Sequence, residues 1–177
     1  MQVKPLHLSF LETERLLLIP YTQQMCEKLL KSDFSDVEHL NLKRGLSWPD
    51  EDVIETLPRI VLNLAKVEAP TGFESWMIIK KETREIIGDL GFKGFNVAEG
   101  TIDIGYGIIK EERRKGFAEE AVKELMQWAF SNDEVKEITA RCLIENTNSI
   151  KLLTKFNFTE QKTENGMKHW RLLNPNK

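Results

Sequence analysis

The chain has 177 residues, of which 41% are hydrophobic and 30% charged, with a formal net charge of −3. A chain of this length and balance is expected to form one globular domain over residues 1–177, its core over about 13–173, and to bury a core without covalent staples. Two cysteines, Cys26 and Cys142, exclude a disulfide framework and a Cys-rich zinc module, and the acidic balance speaks against a duplex nucleic-acid binder. Apolar runs such as Leu16–Pro20 and Trp76–Ile79 are too short to span a bilayer, and the opening Met-Gln-Val-Lys-Pro has no signal-peptide core. The expectation is a cytoplasmic protein with no nucleic-acid and no membrane partner, as a monomer or homodimer.

In chain order, Arg15–Pro20 reads as a short apolar strand. Thr22 is placed to cap a helix running to about Lys31, with Met25, Cys26, Leu29 and Leu30 on one face. Trp48-Pro49-Asp50-Glu51 reads as a helix start. Pro58 is expected to break that helix, leaving a short piece to about Glu55 and a second helix that begins at the proline. The periodicity then becomes strand-like. Ser75–Lys80, Glu85–Gly94 and Thr101–Ile109 read as a meander with a polar turn at Lys81–Arg84. Gly116–Phe130 has helical spacing, Glu137–Leu143 is a buried strand and Asn148–Phe156 a short helix. Phe158–Thr163 and Lys168–Leu173 form a hairpin around Glu164-Asn165-Gly166. The order β-α-α-β-β-β-α-β-α-β-β gives an α/β (α+β) fold whose sheet is mixed, not doubly wound.

The chemistry concentrates in Ile108-Ile109-Lys110-Glu111-Glu112-Arg113-Arg114-Lys115-Gly116-Phe117-Ala118-Glu119. A strand ends, a cationic loop follows and an amphipathic helix opens at a glycine. Helix N-termini present free N–H groups and a positive dipole end, so this pattern suits a phosphate or pyrophosphate; a solvated charge run is the other reading. It is neither a Walker A loop nor a dinucleotide fingerprint.

Arg113-x-x-Gly116-x-Ala118 resembles the Arg/Gln-x-x-Gly-x-Gly/Ala coenzyme A signature of the GNAT acetyltransferases. Glu12-Thr13-Glu14-Arg15-Leu16-Leu17-Leu18, Ile104-Gly105-Tyr106 and Glu119-Glu120-Ala121 are similar to the RimJ/RimL-like branch that acetylates ribosomal-protein N-termini. So is Glu145-Asn146-x-x-Ser149-x-x-Leu152-Leu153-x-Lys155-x-Asn157-Phe158. Asn157 departs from a usual glycine, and Gly107 from a bulky residue. The resemblance runs from Thr13 to Phe158. It implies a GNAT fold with a mostly antiparallel seven-stranded sheet and helices on both faces. It also implies acetyl-coenzyme A as co-substrate, no metal, and an amine acceptor, either a small molecule or a protein N-terminus. Acetylation of polyamines or aminoglycosides, and a non-catalytic coenzyme A-binding regulatory module, are the alternatives.

On that resemblance the coenzyme rests on Ile108, Ile109, Arg113, Arg114, Lys115, Gly116, Phe117, Ala118 and Glu119, with Asn146 and Ser149 along its arm. The arm lies where the strands Thr101–Ile109 and Glu137–Leu143 splay apart, and Gly105 and Gly107 read as a bulge that starts the splay. Ser149 is the candidate to offer a hydroxyl to the departing sulfur; a helix-capping serine is its other reading. Asp103 is the candidate general base and Glu164 a second one, each with a solvated carboxylate as alternative. Cys26 and Cys142 read as core residues, Trp48 as core or acceptor wall, and His7, His39 and His169 show no ligand spacing.

Overall fold

The computed structural model of the chain describes residues 10–177; the opening Met-Gln-Val-Lys-Pro and His7 lie outside them. Strands β1 (Leu11–Glu12) and β2 (Leu16–Pro20) open the fold, followed by helices α1 (Gln23–Leu30) and α2 (Ser35–His39). Strand β3 (Lys43–Arg44) and helix α3 (Glu51–Leu64) lead to the central strands β4 (Ser75–Lys80), β5 (Glu85–Asn96) and β6 (Thr101–Ile108). Helix α4 (Phe117–Phe130), strand β7 (Glu137–Leu143), helix α5 (Thr147–Lys155) and the hairpin β8 (Thr159–Glu164) and β9 (Met167–Leu173) complete it.

One mixed sheet carries nine strands in the order β1-β2-β4-β5-β6-β7-β9-β8, with β3 on β5. The pairings are antiparallel except β6 with β7 and β3 with β5. Seven strands were expected. The two additional ones, β1 and β3, have two residues each, too few for any side-chain period to register in a sequence.

Trp76, Met77, Ile78 and Ile79 are all fully buried, the mark of a strand covered on both faces. Cross-strand register sorts the two sides. Trp76, Leu90 and Tyr106 share one face, where Trp76 meets Trp128 of α4 edge-on at 5.6 Å. Met77, Asp89 and Gly107 share the other, beneath α1 and α3.

The local end signals hold. Thr22 accepts from the Met25 N–H at 3.2 Å and Asp50 from the Val53 N–H at 3.0 Å, each capping its helix. Asn165 and Gly166 have φ of 52° and 74°, the left-handed pair that a two-residue hairpin turn requires. Asn157, in place of the usual glycine, adopts φ of 63° just after α5.

Pro58 does not divide α3, which runs unbroken from Glu51 to Leu64. Its ring removes the bond to the Ile54 carbonyl, yet Ile54 and Pro58 lie on the exposed side, where water replaces the missing donor. Val53, Leu57, Ile60 and Leu64 form one buried stripe. Each contributes about 1.5–3 kcal/mol by burial, and a break would take the two halves of the stripe out of register. Pro58→Ala is therefore expected to raise the melting temperature. The gain is roughly 1–3 kcal/mol from the restored bond, offset by about 0.4–1 kcal/mol for a looser unfolded chain. Thermal denaturation of both proteins at neutral pH checks this, and an unchanged or lower midpoint contradicts it.

Candidate functional site

The sheet opens at its middle. Strands β6 and β7 pair from Thr101 with Glu137 to Ile104 with Ala140, and there their pairing ends. Beyond that point β6 stays bonded to β5 as far as Ile108, while β7 continues along β9 to Leu143. The two strands thus splay, as expected for this segment. The glycines do not form the expected bulge, because Gly105 pairs with Gly91 and Gly107 with Asp89 in unbroken register. The irregularity in this pair of strands lies between Phe92 and Phe95 instead. What the glycines supply is space: a Cβ at either position would meet nothing within 4 Å.

The Ile109 N–H donates to the Ile87 carbonyl at 2.9 Å. By the alternation of an antiparallel ladder, the N–H groups of Ile108 and Tyr106 face away from β5, toward the gap. The Ile108 carbonyl on that side accepts from Arg113 Nε at 2.8 Å, so Arg113 ties the following loop to the end of the strand.

Among the described residues, the loop leaves a run of backbone donors unpartnered. Arg114 has φ of 62° and Gly116 φ of 80°, and this reversal turns successive N–H groups inward. Among the described residues, no protein acceptor meets the N–H groups from Arg114 to Glu119, which include the free first turn of α4. Arg15, the arginine of the opening Thr-Glu-Arg-Leu segment, fixes this loop from the side. Its Nη1 donates to the Lys115 carbonyl at 2.9 Å, and its guanidinium lies over the Phe117 ring at 4.4 Å. Its backbone N–H and Nε hold the two carboxylate oxygens of Glu120 at 2.8 and 2.7 Å, and Thr13 Oγ1 adds a bond of 2.6 Å. Burial pushes the Glu120 carboxyl up, but these donors outweigh it and hold the group below its ordinary range.

Two clefts meet at this place. One, of about 530 Å³, is lined by Ile108, Arg113, Arg114, Gly116, Phe117, Ala118, Glu119, Asn146 and Ser149, together with Tyr106. Two residues expected there are turned away. Ile109 is buried and lines the second cleft, and the Lys115 side chain pairs with Glu112 at 2.9 Å. Asn146, not Ser149, caps α5, accepting the Ser149 N–H at 3.1 Å. Ser149 and Tyr106 line this cleft together. Burial raises the Tyr106 phenol above its ordinary value. Tyr106 Oη itself is enclosed and lacks a hydrogen-bond partner among the described residues.

The second cleft, of about 410 Å³, lies between α3 and the sheet and shares Asp52, Tyr106, Gly107, Ile108 and Arg113 with the first. Its walls carry Asp50, Asp52, Glu55 and Asp89. Neither carboxylate proposed from the sequence as a base lines it. Asp103 faces outward, accepting from Lys93, from Thr139 Oγ1 at 3.1 Å and from Arg141 at 3.3 Å. Three side-chain donors thus already occupy this carboxylate. Glu164 sits exposed at the hairpin tip, paired with Lys162 at 2.8 Å. The carboxylate that does line the cleft is Asp89, which sequence reading passed over. Its one signal was a lone acid in the apolar run Ile86-Ile87-Gly88-Asp89-Leu90. Trp48 is a core residue at 3% exposure, and both cysteines are buried. Among the described residues no group of three or more His, Cys, Asp or Glu side chains is placed to hold a metal ion, and no helix is long and apolar enough to cross a membrane.

Known proteins share this fold. The acetyltransferase (GNAT) domain family matches residues 15–159. An uncharacterised N-acetyltransferase of Bacillus subtilis, YjdG, is 37% identical over 160 residues, covering 90% of this chain and 95% of its own. The ribosomal-protein-S5-alanine acetyltransferase of Vibrio fischeri superposes with a TM-score of 0.64 at 18% identity, over 94% of this chain and 97% of that one. The microcin C7 self-immunity acetyltransferase MccE, solved with acetyl-coenzyme A and AMP, does so with a TM-score of 0.61 at 17% identity, over 91% and 93%. The family match over most of the chain and the 37% identical relative place it: the chain is a member of the GNAT acetyltransferase family, an N-acetyltransferase.

Proposed function

We propose that the chain transfers an acetyl group from acetyl-coenzyme A to a primary amine by direct attack of the amine on the thioester. The observation that carries this reading is the meeting of two clefts at Tyr106–Ile108, one ending in unpartnered N–H groups and the other in carboxylates. The coenzyme, when bound, supplies an activated acetyl thioester. The residues present fit it: the turn at Arg114–Gly116 offers backbone donors to a diphosphate, and the gap between β6 and β7 offers backbone groups to an extended amide-bearing arm. The N–H groups of Tyr106 and Ile108 face that gap and can polarise a carbonyl oxygen placed there. Ser149 and Tyr106 bring two hydroxyls to the side where a departing sulfur would need a proton. Support comes from the family, from the coenzyme complex of MccE and from this geometry.

The acceptor class is a primary amine on a small molecule or a protein N-terminus; the name of the Vibrio fischeri neighbour specifies a protein alanine. The second cleft is lined by Asp50, Asp52, Glu55 and Asp89 and equally by Arg59, Lys93, Arg113 and Arg141, so charge alone does not choose among acceptors, and polyamines and aminoglycosides stay within the class.

Gly116→Val tests the loop. A branched side chain in the left-handed region costs about 1–2 kcal/mol, and its Cβ would stand 3.3 Å from Arg15 Nη2. Acetyl-coenzyme A binding measured by calorimetry is expected to weaken by roughly tenfold or more, equivalent to ~1.4 kcal/mol. Undiminished affinity would remove the loop from the site. Ser149→Ala tests the leaving-group side. Because Asn146 provides the helix cap, the melting temperature is expected to stay unchanged while kcat falls by up to about 10²-fold at constant coenzyme KM. Equal kcat on a preparation of equal stability would reject the role.

A further inference from the structure

We propose that Asp89 receives the acceptor's primary ammonium in the cleft beneath α3 and removes one proton from it before the attack. The inference rests on the acetyl-transfer reading and names the group that prepares the nucleophile.

Register places it. Asp89 lies opposite Gly107, within the β6 segment that both clefts share, and on the same face of the sheet. Gly107 and Gly105 have no side chain and open space above them, so nothing on β6 stands between the Asp89 carboxylate and the meeting point of the clefts. Directly opposite residues in such a pair have Cα atoms about 5.5 Å apart, so an amine held on Asp89 lies within one residue's reach of the strand whose N–H groups face the gap.

The carboxylate is also unclaimed. Asp89 Oδ2 is enclosed and lacks a hydrogen-bond partner among the described residues. Buried polar atoms are nearly always bonded, and an acceptor left without a donor at a cleft wall is an invitation to a ligand that brings one. The charges that act on it most are acidic. Asp50 and Asp52 face it from the N-terminal turn of α3, and Tyr21 and Cys26 from the start of α1. The Tyr21 phenol and the Cys26 thiol are themselves raised by burial and by Asp89, the thiol to about 12. The cations of this cleft other than Arg59 and Arg113 are Lys93 and Arg141, both bonded to Asp103. Burial first, then Asp50 and Asp52, push the Asp89 carboxyl up to about 7, where it accepts a proton from an ammonium and returns it to water in the neutral range.

The balance closes. The ammonium gives one proton to the carboxylate and becomes a neutral amine with a free lone pair. That nitrogen forms its bond to the acetyl carbon as the carbon–sulfur bond breaks. The second proton leaves the nitrogen for the thiolate, by way of the hydroxyl side of the junction or water, and the Asp89 proton passes to solvent.

The test uses the full chain with aspartate labelled at its carboxyl carbon. In NMR titration one carboxyl signal, absent from Asp89→Asn, is expected to titrate near pH 7 and to shift on addition of propylammonium but not of tetramethylammonium, which has the charge and no N–H. A signal that titrates in the ordinary carboxylate range, about 4, or that ignores propylammonium overturns the proposal. The same shift predicts a stability signature. An acid raised from 3.8 to about 7 by folding loses stability as pH rises across that interval, so Asp89→Asn is expected to gain melting temperature relative to wild type between those values. In acetylation of spermidine and of an alanyl peptide, Asp89→Asn is expected to lower kcat about 10²–10⁴-fold with acetyl-coenzyme A affinity unchanged. Turnover within threefold of wild type overturns it. If wild type acetylates neither amine while its Asp89 signal responds to propylammonium, the amine site stands and the acetyl-transfer reading fails.

Discussion

Strand β6 loses its neighbour after Ile104, and the rest of the site follows from that loss. A strand bonded on both sides has no spare backbone groups. Here β6 keeps β5 through Ile108 while β7 departs with β9, so a short stretch of backbone inside the sheet is left half-bonded. Such an edge is unstable unless something shapes it. A loop over residues 109–116 leads from it to helix α4, and the Arg113 guanidinium closes the last carbonyl. Both clefts, the anion-ready turn and the hydroxyls of Tyr106 and Ser149 are arranged around the same four residues, Gly105–Ile108.

The second constraint is the Arg15 anchor. A loop with two left-handed residues and several unpartnered N–H groups stores strain and open hydrogen-bonding capacity, and it keeps its shape only if neighbours over-determine it. Arg15 and Thr13 do so from the other end of the chain, through four bonds to Glu120 and Lys115 and a guanidinium over Phe117. The opening Thr-Glu-Arg-Leu segment thus has a physical task. It is half strand, with Leu16 and Leu18 fully buried, and half clamp on the first turn of α4.

What was legible in the sequence was what short range decides. Thr22 caps the helix expected of it, a helix starts at Glu51 where Trp48-Pro49-Asp50-Glu51 pointed, Asn165-Gly166 turns the hairpin, and the loop from Arg113 to Ala118 stood out because its residues are contiguous. Pro58 was misread because a local rule met a stripe of four buried residues that only the folded helix assembles. Asp103 and Asp89 show the same limit at the site. Lys93 and Arg141, which claim Asp103, come from β5 and β7. Asp89 gains its surroundings from Gly107, Asp50, Asp52 and Tyr21, all distant in sequence, and no spacing on β5 alone announces them.

Gly105 and Gly107 carry a final consequence. The depth of the cleft over Asp89 comes from atoms left out of a strand, not from a loop set back from it. Every substitution at these positions therefore adds volume and none removes it. A side chain there also stiffens the unfolded chain and suits a pleated strand better than glycine does, so it tends to strengthen the sheet. At these two residues, then, robustness and capacity are in opposition: drift toward a sturdier strand fills the chamber, and only selection for what the chamber admits keeps it open.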